Sequence, residues 1–246
     1  MKDTHKPGMD RQLRLWTSVH SFCFLIFGIY LFFLKTPGNA QWTAAAAAIM
    51  GACSFTILML LQGHTSLTAP NGISLLRFVF SAAAAFLLLY GRRGWVVFAL
   101  FAMAGLTDFF DGLAARRFGS TTFGAKLDME LDAFFIFMLT AVAVVYYGQK
   151  RLLLVAGLLR YAYVFLLMIL PSPGEMPFIF RLLSKGACAL AETALIILFA
   201  PFVGNIARGI TALVVVCLLC ASFLLDVVLR MLLGKGEGVS VEAKLS

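Results

Sequence analysis

A chain of 246 residues that is 61% hydrophobic and only 13% charged has too little polar surface to cover a water-soluble fold of its size. The formal charge of +8 does not imply nucleic acid: Lys and Arg sit at the ends of apolar runs, as membrane topology and anionic headgroups require, and no basic face forms. A disulfide framework or zinc site is excluded in the same way. Cys23, Cys53, Cys188, Cys217 and Cys220 all lie in apolar runs and read as small packing residues, and His5, His20 and His64 are isolated.

The first 17 residues are polar, carry no signal-peptide pattern and read as a cytoplasmic segment. Beyond them, runs long enough for a spanning helix of about 20 residues predict eight transmembrane helices. They cover 18–34, 43–62, 72–90, 94–116, 124–147, 152–170, 178–201 and 206–231. Turn residues separate them at Pro37-Gly38-Asn39, Pro70-Asn71-Gly72, Gly91-Arg92-Arg93-Gly94 and Pro171-Ser172-Pro173-Gly174. The expected organisation is an all-α membrane protein: an N-terminal helix pair over 18–69, a main transmembrane domain over 70–231, and a flexible polar tail over 232–246. With the N-terminus inside, Lys and Arg fall about twice as often at cytoplasmic as at outer ends, which places both termini in the cytoplasm.

Four of the twelve acidic residues, Asp108, Asp111, Asp128 and Asp132, lie at the end of the fourth run and the start of the fifth. Carboxylates at membrane depth are costly and repel one another, so a positive partner must sit among them. At 100° per residue, Asp108, Asp111, Gly112 and Ala115 share an arc of about 100°, and Gly124, Asp128 and Asp132 one of about 80°. A short loop over 117–123 lets the two acidic faces converge. Glu130 points about 200° away from Asp128 and stands outside the group. An all-oxygen ligand set without Cys or His implies Mg²⁺, Mn²⁺ or Ca²⁺, and four carboxylates suffice for two such ions clamping a pyrophosphate. Gly112 and Ala115 leave room for a ligand, and Arg116 and Arg117 follow at once for phosphate oxygens.

The run Asp111-Gly112-x2-Ala115-Arg116-x7-Gly124-x3-Asp128-x3-Asp132, with Asp108 ahead of it, resembles the motif of the CDP-alcohol phosphatidyltransferase family at every fixed position. Upstream, Pro70-Asn71-Gly72-Ile73-Ser74-Leu75-Leu76-Arg77 looks like the opening of that family's first core helix, with Ser74 where threonine is common. The resemblance covers about 70–231 and implies a six-helix core to which the first two helices are added. It further implies two divalent ions, Mg²⁺ or Mn²⁺, on Asp108, Asp111, Asp128 and Asp132, with Asp132 as general base. Asp111, Gly112, Ala115, Arg116 and Gly124 would line the nucleotide site, joined by Asn71 and Arg77. Arg77 has the alternative of holding an aspartate or anchoring its helix. The same resemblance implies a homodimer in a bacterial inner membrane, its site facing the cytoplasm.

Arg160, midway along the sixth run, reads as an anion receptor for the acceptor together with Arg181 and Lys185, or as the partner of intramembrane Glu192. The expected reaction moves a phosphatidyl group from CDP-diacylglycerol to an alcohol and releases CMP. Glycerol 3-phosphate is the first choice of acceptor; serine, inositol and choline are alternatives. The x7 interval argues against the phosphatidylcholine synthase branch, whose interval is longer. A divalent-metal transporter would instead show broken or polar helices contributed by several spans, and a non-catalytic scaffold would not need the intact aspartate set. Membrane lipids are the surrounding partners, and nucleic acid is not one.

Overall fold

The computed structural model describes residues 7–33, 43–61, 69–118, 122–168 and 178–242. The apolar runs fold as eight helices among these residues: α1 (Pro7–Phe33), α2 (Thr43–Leu61), α3 (Ala69–Leu89), α4 (Trp95–Phe118), α5 (Thr122–Tyr147), α6 (Leu153–Leu166), α7 (Phe178–Leu198) and α8 (Asn205–Glu242). The expected breaks at 37–39 and 171–174 lie outside the described residues. That between α3 and α4 is a turn in which Gly91 and Gly94 take positive φ, 71° and 102°, which side chains would strain.

Three expected boundaries move. The polar N-terminal segment is the start of α1, because a proline at the first turn is preorganised for a helix and loses no needed N–H. Pro70-Asn71 likewise opens α3 rather than preceding it. At the other end α8 continues to Glu242 through the glycine-rich stretch expected to be a loose tail. Glycine costs a helix about 1 kcal/mol per residue, and no proline stops this one.

Five helices contain stretches long and apolar enough to cross a membrane: Arg11–Phe33, Asn71–Leu89, Trp95–Ala114, Phe123–Tyr147 and Asn205–Leu232. The apolar stretches of α2 and α6 are shorter, Ala45–Leu60 and Leu153–Leu166, and α7 carries Arg181, Lys185 and Glu192 in its 21 residues. The eight expected crossings therefore stand as eight helices, five of them candidate spans. Burial runs opposite to a water-soluble fold. The spanning stretch of α8 has the highest mean hydropathy, 2.8, yet is 22% buried, whereas that of α5, at 1.8, is 72% buried. Exposed Leu213, Val214 and Leu224 on α8 face a surface only an apolar solvent accepts. The protein is a multi-pass membrane protein.

The helix α5 is central because it is apolar on almost every side. Phe134, Phe135, Phe137, Met138, Leu139 and Val142 are fully enclosed, by α3 and α2 on one flank and α6 and α7 on the other. Gly157 lets α6 close on it; a Cβ there would lie 3.0 Å from the Phe137 Cα. The N-terminal pair is part of the same core. Phe24 of α1 stacks on Tyr161 of α6 at 5.2 Å, and Phe55 of α2 meets Phe134 edge-on at 5.7 Å.

Candidate active site

Three helices build the site. On α3 the polar residues Asn71, Ser74, Arg77 and Ser81 recur at intervals of three or four, forming one buried stripe down an otherwise apolar helix. That stripe faces α4, the helix on which α3 packs most extensively, where Asp108 and Asp111 lie one turn apart. Asp128 and Asp132 occupy the matching face of α5. The convergence expected of the α4–α5 hairpin is present.

The positive partner is Arg77. Its guanidinium is completely buried; Nη2 donates to Asp108 Oδ1 at 2.8 Å and lies 3.4 Å from Asp111 Oδ2. Its Nη1 lies 3.9 Å from Asp128 Oδ1 and forms a closer ion pair with Asp132. Ser74 Oγ donates to Asp111 Oδ2 at 2.9 Å. One guanidinium serves all four carboxylates, the second of the roles open to Arg77 from sequence. Asn71 is buried one turn before Ser74 on the same stripe.

A single positive charge does not balance four negative ones. Asp128 Oδ1 is buried and makes no hydrogen bond, a state that calls for a further partner, whereas Asp132 Oδ1 is taken up by the Arg77 ion pair. One carboxylate oxygen from each of Asp108, Asp111 and Asp128 lies within 4.8 Å of the others, close enough to share a divalent ion. Asp132 is not in that trio. The cluster opens on one side, for the side chains of Asp108, Asp128 and Asp132 are 40–47% exposed, against 7% for Asp111. A Cβ on Gly112 would meet nothing within 4 Å, so open space adjoins Asp111. Gly124 lies one turn before Asp128 on α5. The residues present fit a hard divalent cation: an oxygen set, unsatisfied lone pairs and an open approach.

Residues beyond the motif also reach the site. Glu192 of α7 has Oε1 3.4 Å from where a Cβ of Gly105 would stand, one turn before Asp108, and it feels the charges of Arg77, Asp108, Asp128 and Asp111. Lys185, seven residues earlier on the same face of α7, interacts electrostatically with Asp128. From sequence Glu192 is the alternative partner of Arg160; instead it stands near the aspartates. Its i, i+7 relation to Lys185 is the signal that would have linked the two.

Arg160 stands elsewhere. Its Nη2 lies 3.2 Å from Glu130 Oε1 and 2.9 Å from Met129 Sδ, so its acid partner is Glu130 of α5, not Glu192. Glu130 projects away from the aspartate face, as helical spacing requires. Tyr163 and Arg230 both bind Asp226, which acts structurally. The five cysteines are free. The side chains of Ala115, Arg116 and Arg181 lie outside the described residues.

Comparison with known proteins agrees with this geometry. Over 85 residues the chain is 33% identical to a protein of Cereibacter sphaeroides named CDP-diacylglycerol–glycerol-3-phosphate 3-phosphatidyltransferase. That match covers 33% of this chain and 38% of the relative, well under half of its length. No solved structure matches. The family model for CDP-alcohol phosphatidyltransferases matches residues 67–220, from the start of α3 into α8 and across every aspartate of the cluster. The chain belongs to the CDP-alcohol phosphatidyltransferase family.

Proposed function

We propose that this enzyme transfers a phosphatidyl group from CDP-diacylglycerol to a small alcohol, with a phosphorylated polyol such as glycerol 3-phosphate as the first candidate, and releases CMP. One observation carries the reading: carboxylates of two successive helices meet around one buried guanidinium, with Asp128 Oδ1 left without a hydrogen bond and open space beside Gly112.

Asp108, Asp111, Asp128 and Asp132 would hold two divalent cations, Mg²⁺ or Mn²⁺, which supply neutralisation of the pyrophosphate and of the departing CMP. The chain's own residues do the rest. Gly112 and Gly124 leave the helix surfaces bare for the nucleotide, with Arg116 and Asn71 as its donors. Arg77 holds the aspartates in one arrangement before substrate arrives. Asp132, half open to the site, takes the proton of the acceptor hydroxyl as that oxygen attacks the lipid-side phosphorus. The bond from this phosphorus to the CMP oxygen breaks. Lys185, whose charge acts on Asp128, attracts the acceptor's phosphate together with Arg181; Arg160 is committed to Glu130.

The excess of Lys and Arg at the helix ends that share the aspartates' side supports a site on the cytoplasmic face of a bacterial inner membrane. The further arrangement we infer is a six-helix core, α3 to α8, carrying α1 and α2, in a homodimer. The decisive experiment incubates purified enzyme with CDP-diacylglycerol, Mg²⁺ or Mn²⁺ and a pool of alcohols, reading CMP and the mass of the new lipid. Asp132→Asn should abolish both signals. Wild-type protein that releases no CMP with any acceptor but passes Mn²⁺ across liposomes would make it a transporter.

A further inference from the structure

The helices α1 and α2 precede the family match, and the proposed chemistry does not use them. They nevertheless converge on one buried group, Glu130, whose carboxylate is fully enclosed although it lies in the charged N-terminal half of α5, beside Asp128 and Asp132. Glu130 stands between Asp128 and Asp132 in sequence and on the opposite face of the helix. Three cationic or polar groups approach it: Arg160 at 3.2 Å, Lys126 at 3.3 Å and His20 Nε2 of α1 at 3.9 Å.

The last contact has a definite chemistry. Ser54 of α2 pairs with His20 through Nδ1, and its carbonyl accepts a 3.0 Å hydrogen bond from Trp16 Nε1. Trp16 in turn stacks on the His20 ring at 4.7 Å. When the Ser54 hydroxyl donates to Nδ1, the neutral imidazole carries its proton on Nε2. That atom lies 3.9 Å from Glu130 Oε2, and both are buried without a hydrogen-bond partner. The carboxylate is thus approached from α1 by His20, from α6 by Arg160 and from its own helix by Lys126.

We propose that the N-terminal pair is a positioning device for α5, acting through His20 on Glu130, and that it sets the rotation at which Asp128 and Asp132 face the aspartates of α4. The physical ground is directionality. A helix that is apolar nearly all round finds similar packing at neighbouring rotations, whereas a buried charge tolerates few. Ionic groups of this kind add little net stability and are best attested as devices that fix register. Turning α5 by one residue would take Glu130 off His20 and Arg160 and move both aspartates off the cluster together. Glu130, His20 and Arg160 are therefore positioning residues that touch neither substrate nor metal. The idea rests on the proposed metal-dependent transfer, but it can be read without turnover.

The test uses the full-length protein in nanodiscs. Mn²⁺ affinity is measured by electron paramagnetic resonance without substrate, alongside thermal unfolding and the kcat and KM of CMP release. Glu130→Gln should weaken Mn²⁺ binding and lower kcat by about 10–100-fold, the usual cost of losing a group that orients metal ligands. His20→Gln should shift both in the same direction by less. Leu31→Ala, a packing change in α1 eleven residues beyond His20, should lower the unfolding temperature and leave Mn²⁺ affinity intact. A folded Glu130→Gln protein with wild-type Mn²⁺ affinity overturns the proposal, and so does a Leu31→Ala protein whose affinity falls equally. If Glu130→Gln does not fold, Glu130→Asp and His20→Gln decide, and wild-type affinity in both rejects it. Wild-type protein that binds Mn²⁺ but releases no CMP removes the transferase reading and leaves this one standing on the affinity data.

Discussion

Replacing Arg77 with methionine keeps an unbranched apolar stem and removes the positive charge that four aspartates share. At an effective dielectric constant of about 20, the 2.8 Å pair with Asp108 attracts by roughly 6 kcal/mol and the 3.4 Å pair with Asp111 by roughly 5 kcal/mol. These gross values shrink in context. The Asp108 side chain is 47% exposed, so its pair is worth about 1 kcal/mol or less. Asp111 is 7% exposed and keeps more, but desolvation of the guanidinium offsets much of it. Removing one partner of a buried ion pair costs about 3–5 kcal/mol, because the other charge stays behind unpaired. We place Arg77→Met at the lower end, about 3 kcal/mol, since water reaches three of the four carboxylates.

The same reasoning gives the rescue. A divalent cation supplies the missing charge, and at a hundred times its dissociation constant a ligand returns about 2.7 kcal/mol. Reversible unfolding in detergent, with EDTA or with millimolar Mn²⁺, measures both quantities. In EDTA the variant should lose about 3 kcal/mol relative to wild type, and Mn²⁺ should close most of the gap. An Arg77→Met protein as stable as wild type in EDTA would refute the electrostatic account. Equal gains from Mn²⁺ in the two proteins would refute the claim that guanidinium and metal answer the same charge.

Three further outcomes follow from the geometry. Asp132→Asn should cut the CMP release rate by about 10²–10⁴-fold, the range for loss of a general base, while Mn²⁺ affinity measured calorimetrically falls far less, because Asp132 lies outside the tight carboxylate trio. Gly112→Leu meets open space, so thermal stability should hold or rise by up to about 1 kcal/mol; the KM for CDP-diacylglycerol should nevertheless rise at least about tenfold, the equivalent of a 1.4 kcal/mol loss of binding. Gly157→Ala would put a Cβ 2.3 Å from Thr140 Oγ1 and 3.0 Å from the Phe137 Cα. It should destabilise by about 1–3 kcal/mol, seen as a lower midpoint in denaturant with turnover per folded molecule unchanged.

The aspartate face was readable in advance because it depends on one short hairpin. Asp108 and Asp111 share a helix three positions apart, Asp128 and Asp132 share the next four apart, and 3.6 residues per turn leaves little freedom in where they point. The same periodicity turned Glu130 away from the cluster. Arg160 was readable as an unusual charge but not as a partner of Glu130. The two residues are 30 apart in sequence, and their meeting depends on how α6 rotates against α5. Glu192 shows the converse, since an acid on α7 can be assigned to any neighbouring helix until the packing is known. The start of α1 went unread for a third reason: polar residues ahead of an apolar run mark a cytoplasmic segment without showing that a helix anchored further along propagates through them at one hydrogen bond per residue.

Composition and local periodicity settled what concerns single helices and adjacent turns. They made the chain a membrane protein, put two pairs of aspartates on facing arcs, and required a counter-charge among them. Which group supplies that charge within the protein was decided by the packing of α3 on α4 and α5, which carries the Arg77 guanidinium to all four acids. Packing also joined α1 and α2 to the reverse side of α5 through His20, Ser54 and Glu130. Each of these meetings spans about thirty or more residues of chain, where the code of a single helix ends and the fit between helix surfaces takes over.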